Sequence, residues 1–193
     1  MFQYAFGKTL AIKNNTDLVL STAYLQSKLP FKKWSTQMRY ELAIFNIHAT
    51  IESNIFSGKL LYPIAKTEYL LRTKINEIQL NKIEESQFSF QSDLLKGKNN
   101  SYVNGNFQSE KYFKSIEPII RQEFTFKRAL SGKNAEWKDK IENCNAVSIH
   151  IRRGDYISIQ ANAKKFEQTS LSYYDSAIQC IANQLKNPVF FVF

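Results

Sequence analysis

No uninterrupted apolar run in the sequence approaches the roughly 20 residues that a membrane-spanning helix needs. Nor does a charged-then-apolar leader open it, so nothing argues for secretion or insertion. Cysteine and histidine are both scarce. Cys144 and Cys180 make no disulfide framework in 193 residues, and with only two histidines beside them they supply no zinc-ligand set. A reduced intracellular compartment is therefore expected. Glycine-rich Walker and dinucleotide fingerprints are absent, as are internal repeats. What is abundant is apolar and aromatic material: 44% hydrophobic and 14% aromatic residues, with 15 Phe and 10 Tyr. That composition excludes disordered and collagen-like classes and allows a buried core.

Charge is the second informative quantity. Lys and Arg number 26 against 17 Asp and Glu, a net +9. Such a chain attracts polyanions or anionic surfaces, and nucleic acid, anionic lipid and a small phosphorylated ligand all qualify. The basic residues are scattered, not gathered into a stripe with interleaved aromatics, which argues against nucleic acid. A polyanion-binding module stays open on net charge alone.

Periodicity predicts a helix over 1–14, where Phe2, Phe6 and Leu10 fall four apart with Ala5 and Ile12 nearby, stopped at Asn14 and Asn15 and begun without an N-cap. Asp17 to Leu20 is a short strand, Pro30 precedes a basic pair at Lys32 and Lys33, and Tyr40 to Ile47 is apolar but too short to assign. Residues 64–83 read as one amphipathic helix through Leu70, Leu71, Ile75 and Ile78. Gln87 to Phe90 reads as extended, and Gly97 to Ser101 as a turn leading through Tyr102 and Val103 to Gly105. Ser109 has the residue type of an N-cap for a helix through Tyr112, Phe113, Ile116, Ile119 and Ile120, with Pro118 as its kink. Ser131-Gly132 breaks the chain before a short polar helix over 134–143.

The last third changes character: a buried strand at Ala146 to Ile151, a polar loop at Arg152 to Asp155, a helix over Ser172 to Leu185, and a buried strand from Pro188 to Phe193. This is a βαβ unit, the mark of a parallel α/β sheet, whose ligands bind beyond the carboxyl ends of its strands. The loop after the first strand is chemically dense. In His150-Ile151-Arg152-Arg153-Gly154-Asp155-Tyr156, strand alternation puts His150 and Arg152 on one face and Ile151 on the other, with Arg153 in the turn. Two guanidiniums at a strand end can form bidentate bonds to phosphate oxygens, and Gly154 lets backbone approach a ligand closely. Asp155 either holds an arginine in place or faces an acceptor hydroxyl as general base. The plainer alternative is that both arginines are solvated loop residues. An Arg153-Gly154-Asp155 adhesion tripeptide would need a secreted protein, for which there is no leader.

The segment His150 to Tyr156 (HIRRGDY) resembles the arginine-rich motif of the α-1,2-fucosyltransferases, the galactoside 2-α-L-fucosyltransferase family. Three more segments follow in the family's order: MFQYAFGKTLA at Met1 to Ala11 is similar to the helix after a Gly-Gly-Leu-Gly-Asn-Gln turn, YELAIFNI at Tyr40 to Ile47 to a YEL-x-x-FNI stretch, and GNFQSEKYF at Gly105 to Phe113 to a GYFQSEKYF segment. Asn106 stands where that family has an aromatic, and the glycine-rich turn is missing. The resemblance implies a GT-B fold, two Rossmann-like α/β domains, here incomplete: residues 1–143 as an acceptor-side domain lacking its first strand, and 144–193 as the first βαβ of the donor domain.

The same resemblance implies an inverting, metal-independent transfer of L-fucose from GDP-β-L-fucose to the 2-hydroxyl of a terminal galactose. Its partners would be GDP-fucose and a galactose-terminated glycan, with no cofactor beyond the donor, no metal and no nucleic acid. Arg152 and Arg153 would bind the diphosphate and stabilise the departing GDP, and Asp155 would act as base or arginine-orienting group. His150, Gly154 and Tyr156 would complete the donor site, although His150 also fits a core histidine. Gln3 and Tyr4 would lie near the acceptor cleft, or be ordinary surface and core positions. Glu110, Lys111 and Tyr112 default to a helix surface, and His48 to a structural role. The enzyme would be cytoplasmic, with peripheral attachment to an anionic inner membrane as a further option, and these 193 residues alone would transfer no fucose. Another nucleotide-sugar transferase of the same fold is the nearest rival.

Overall fold

The computed structural model describes residues 1–22, 40–52, 79–151 and 169–193, together with Leu25, Thr67, Leu70, Leu71, Lys74 and Ile75. The motif residues Arg152, Arg153, Gly154, Asp155 and Tyr156 lie outside the described residues, as do Lys32, Lys33 and most of the 64–83 segment. The chain divides into two compact units, the first ending at Lys127 and the second running from Arg128 to Phe193.

The first unit is organised by α1 (Phe2–Asn14). A single inward stripe was expected, but the helix is buried on two sides. Phe6 and Leu10 join Ile83, Phe107 and Tyr112 in one cluster, while Tyr4 and Ala5 join Ile116 and Ile120 in another. Phe2 and Ile12, part of the expected stripe, are instead exposed. A helix packed on two sides needs small or apolar residues around most of its circumference, and Ala5, Gly7, Thr9 and Ala11 meet that need. Asn15 ends α1 in the left-handed region at φ 50°, its N–H reaching back to the carbonyls of Ala11 and Ile12, so the expected stop is where the helix stops.

Two parallel strand pairs follow. β1 (Val19–Ser21) pairs with β2 (Thr50–Glu52), Val19 opposite Thr50; β3 (Asn81–Glu84) pairs with β4 (Ser101–Asn104), Asn81 opposite Ser101. The strand β3 corrects the reading of 64–83 as one helix. Gln79 is still helical, but Asn81 to Glu84 alternate, with Ile83 alone pointing inward between polar neighbours. Gln87 to Phe90, expected to be extended, is a run of bends in which Gln91 Nε2 donates to the Gln87 carbonyl and Ser86 Oγ to Gln91 Oε1. Within Tyr40 to Ile47 only Leu42–Ile44 forms a 3-10 turn, and Phe45 then bridges to Phe126.

The stretch after Ser109 also departs from expectation. Ser109 does cap, its Oγ accepting from the Lys111 N–H, but what it caps is a 3-10 turn, Glu110–Tyr112. A second such turn, Lys114–Ile116, precedes α2 (Glu117–Glu123), which carries Pro118 in its first turn. Proline has no N–H to offer the preceding turn, so it starts a helix here instead of kinking one. Tyr112, expected on a helix surface, is 1% exposed.

In the second unit, Gly132 (φ 56°) breaks the chain as expected and α3 (Lys133–Glu142) follows. Then come β5 (Asn145–Ile149), α4 (Leu171–Ala182, with Ser170 Oγ accepting from the Tyr173 N–H) and β6 (Pro188–Val192). β5 and β6 are parallel, Asn145 opposite Pro188 through Ile149 opposite Val192, which is the anticipated βαβ arrangement. The break placed after residue 143 falls inside this unit, between α3 and β5, and Trp137 of α3 meets Phe191 of β6 edge-on at 6.0 Å. Neither strand is buried as expected. Val189, Val192 and Phe193 are exposed because, among the described residues, each strand has one neighbour and α3 covers only part of the pair. No described helix is long and apolar enough to cross a membrane.

Candidate functional site

Parallel strands point their carboxyl ends toward the ligand side of an α/β sheet. The first unit has two such edges, after β1 and β2 and after β3 and β4, and the second of these carries a built turn. The ladder ends with the Glu85 N–H on the Asn104 carbonyl, and the chain then turns through Gly105, Asn106 and Phe107. Glu85 holds this turn from inside: one carboxylate oxygen accepts the N–H groups of Asn106 (2.7 Å) and Phe107 (2.9 Å). Its other oxygen is buried with no hydrogen-bond partner among the described residues. Gln3, from the first turn of α1, donates Nε2 to the Gly105 carbonyl at 2.6 Å. The residue expected near an acceptor cleft is thereby tied to the segment that leaves β4.

The turn is tight enough to dictate its residues. A Cβ on Gly105 would lie 2.6 Å from Glu85 Cβ and 2.8 Å from the Phe107 ring, so only glycine fits. Phe107 takes φ 52°, a left-handed conformation that is costly for a bulky residue and persists only where surroundings enforce it. They do so through its ring, which stacks on Phe6 at 4.1 Å and meets Tyr112 edge-on at 5.7 Å. Tyr112 Oη in turn accepts the Gln91 N–H at 2.9 Å. Asn106 is exposed at the apex.

A second polar cluster lies on the other face of α1. Tyr4 Oη donates to Glu123 Oε2 at 2.5 Å and accepts the His48 N–H at 3.1 Å, while Lys8 Nζ sits 2.7 Å and His48 Nδ1 3.3 Å from Glu123 Oε1. Burial pushes the Tyr4 phenol up, and the Glu123 carboxylate adds to the shift. Burial works against ionised Glu123 as well, but the bonds from Lys8 and Tyr4 outweigh it and hold the carboxyl below its ordinary range. An exposed imidazole on a buried carboxylate has the geometry of a catalytic dyad. Its location argues otherwise: His48 precedes β2, at the amino end of that strand, and its backbone N–H serves the Tyr4 hydroxyl. Tyr4, His48 and Glu123 tie α1 to the end of α2 and to the segment before β2, and the long-range pairing of Tyr4 with Glu123 left no signal in the local sequence.

In the second unit the carboxyl edge is the exit of β5. The ladder continues past its last residue, Phe193 N–H bonding to Ile149 and Ile151 N–H to Phe193, so His150 is held extended between them. His150 is exposed and Ile151 half-buried, the alternation expected for this strand. The imidazole lies 5.2 Å from the Phe193 ring. Glu110 and Lys111 are exposed in the first unit, as expected.

Comparison with known proteins adds a third line. The chain is 29% identical over 202 residues to an alpha-1,2-colitosyltransferase of Escherichia coli, and 28% identical over 211 residues to the O-antigen biosynthesis glycosyltransferase WbnK of the same species. Both alignments take in 100% of this chain, which spans 63% of the first relative's length and 68% of the second's. No solved structure matches. The glycosyl transferase family 11 model matches residues 2–193, in keeping with the resemblance to α-1,2-fucosyltransferases; the chain belongs to glycosyl transferase family 11.

Proposed function

We propose that this chain is the acceptor-side domain and the first donor-binding βαβ of a GT-B glycosyltransferase that moves L-fucose from GDP-β-L-fucose to the 2-hydroxyl of a terminal galactose, with inversion. The observation that carries the reading is the parallel β5–β6 pair, with His150 exposed where the strand ends and the arginine-rich motif begins. In this reading Arg152 and Arg153 grip the diphosphate. The galactose 2-hydroxyl attacks fucose C1 as the bond to GDP breaks, and the β-phosphate takes up negative charge. Two fixed guanidiniums stabilise that charge without requiring a divalent cation. Asp155 either accepts the hydroxyl proton or orients an arginine; His150, Gly154 and Tyr156 complete the nucleotide site, and Gln3 stands at the acceptor side. A cytoplasmic enzyme, peripheral on an anionic membrane, suits the net charge of +9.

A second donor is favoured by one specific finding, the 29% identity to a colitosyltransferase. Colitose is fucose without its 3-hydroxyl. A site built to bond that hydroxyl would reject the deoxy analogue by about 10⁴ or more, whereas an apolar site would discriminate by only about a hundredfold. The test is donor competition on the intact enzyme, with GDP-fucose, GDP-colitose, GDP and UDP against one galactoside acceptor. Transfer from GDP-fucose, inhibited by GDP and not by UDP, is the expected result. Transfer inhibited by UDP and not by GDP, or no transfer from GDP-fucose while GDP-colitose turns over, would overturn the proposal.

A further inference from the structure

A cavity of about 370 Å³ opens on the first unit, lined by Glu110, Phe113, Lys114, Glu117, Ile120, Arg121 and Phe124. None of these residues belongs to the arginine-rich motif, and their position ties them to the acceptor side. Glu110 and Phe113 sit on the segment that leaves the Gly105 turn, and Phe113 packs against Phe2, in the first turn of α1, at 6.0 Å. The turn itself is bonded to Gln3, one residue further along the same helix. The cavity is therefore built on the segment that follows the exit of β4 and is linked to that exit through the first turn of α1.

Its walls have two characters. Phe113, Ile120 and Phe124 give an apolar floor, Phe124 being fixed by edge-on contacts with Tyr4 (5.6 Å) and Phe45 (5.2 Å). The rim is charged but balanced. Lys114 Nζ and Arg121 Nη2 both pair with Glu117, at 2.7 and 2.8 Å, and Lys114, then Arg121, hold that carboxyl below its ordinary range. Glu110 is exposed and also lines the cavity. Two carboxylates against two cations leave the rim without net charge, which does not suit a phosphate or a polyanion. Planar acceptors and donors around an aromatic floor do suit a neutral saccharide, which offers C–H faces to the rings and hydroxyls to the rim.

We infer that this cavity is an acceptor subsite that holds the sugar next to the one receiving the transferred residue. The inference rests on the proposed transfer to a galactose-terminated glycan and specifies where the rest of that glycan binds. The intact enzyme should then bind a β-galactosyl disaccharide about tenfold more tightly than methyl β-galactoside, the gain that one stacked, hydrogen-bonded ring supplies. Calorimetry without donor reads this difference whichever sugar is transferred. The double variant Glu110→Ala/Arg121→Ala removes only exposed side chains and should erase it, binding both ligands with similar affinity. Phe113→Leu, which keeps the packing volume but loses the aromatic face, should reduce it in part. Equal wild-type affinities, including failure to bind either ligand, or an undiminished difference in the double variant, would overturn the subsite. Fucose transfer from GDP-fucose, followed in parallel, fails or succeeds independently and reports on the donor reading alone.

Discussion

Removing one hydroxyl from the middle of the first unit should be unusually damaging. In Tyr4→Phe the ring keeps its edge-on contact with Phe124, so packing is preserved and what is lost is the hydroxyl's bonding, chiefly the donation to Glu123 at 2.5 Å and the acceptance from the His48 N–H at 3.1 Å, with a longer contact to the His48 carbonyl at 3.5 Å. Glu123 is 5% exposed, so its Oε2 cannot recover the missing partner from bulk water. A bond to a buried charge contributes about 1.5–3 kcal/mol and a neutral one about 1, so the expected loss is about 3 kcal/mol. For a folding unit of this size that corresponds to a fall in Tm of about 6–12 °C. Scanning calorimetry on the intact protein reads it, and Tyr4→Ala, which adds a cavity, should cost more. The double variant Tyr4→Phe/Glu123→Gln should be clearly less destabilised than the sum of its singles. A Tyr4→Phe protein within about 0.5 kcal/mol of wild type, the range of ordinary surface changes, would refute the reasoning.

The same cluster should make stability fall at both ends of the pH scale. Glu123 has a folded value below its ordinary 4.5, so its contribution is present above that pH and lost as pH falls through the depressed value; Glu123→Gln should flatten the acid limb of denaturant midpoints taken against pH. Tyr4 is shifted upward, so its contribution is complete below 10.0 and lost as pH rises beyond it, and Tyr4→Phe should lack that alkaline limb. Gly105→Ala forces a Cβ to 2.6 Å from that of Glu85 and should destabilise by about 1–3 kcal/mol, visible as a lowered urea midpoint; an unchanged midpoint would show that the turn yields freely. Asn15→Ala, at φ 50°, should cost up to about 1 kcal/mol, whereas Asn15→Gly should be neutral or stabilising in the same melts.

What was legible in the sequence was what local chemistry decides. α1 and its asparagine stop, the Gly132 break and the βαβ pattern of the last third all follow from spacing and turn residues that act over a few positions. β3 and β4 were not legible. Their four-residue strands each carry only one or two inward residues, and Ile83 fits a helical period as well as an alternation. The 110–120 stretch failed for a different reason: Ser109 caps correctly, but Pro118 lies where the final helix begins, and sequence alone does not say which side of a proline is helical. At the candidate site, the arginine motif and the glycine of the 105 turn stood out by residue type. Glu85 did not, because its role depends on backbone N–H groups some twenty positions later. The Tyr4–Glu123 pair spans 119 positions and was invisible for the same reason.

Substituting Arg152 tests the donor reading most directly, with kcat/KM measured on the intact enzyme for GDP-fucose and a galactoside. If the guanidinium forks two phosphate oxygens of the leaving GDP, Arg152→Ala and Arg153→Ala should each lower kcat/KM by about a hundredfold or more, equivalent to about 2.7 kcal/mol of transition-state stabilisation. Arg152→Lys should recover little of it, since an ammonium keeps the charge but not the planar pair of donors. Near-full activity in Arg152→Lys would contradict the assignment of this strand end to the donor diphosphate.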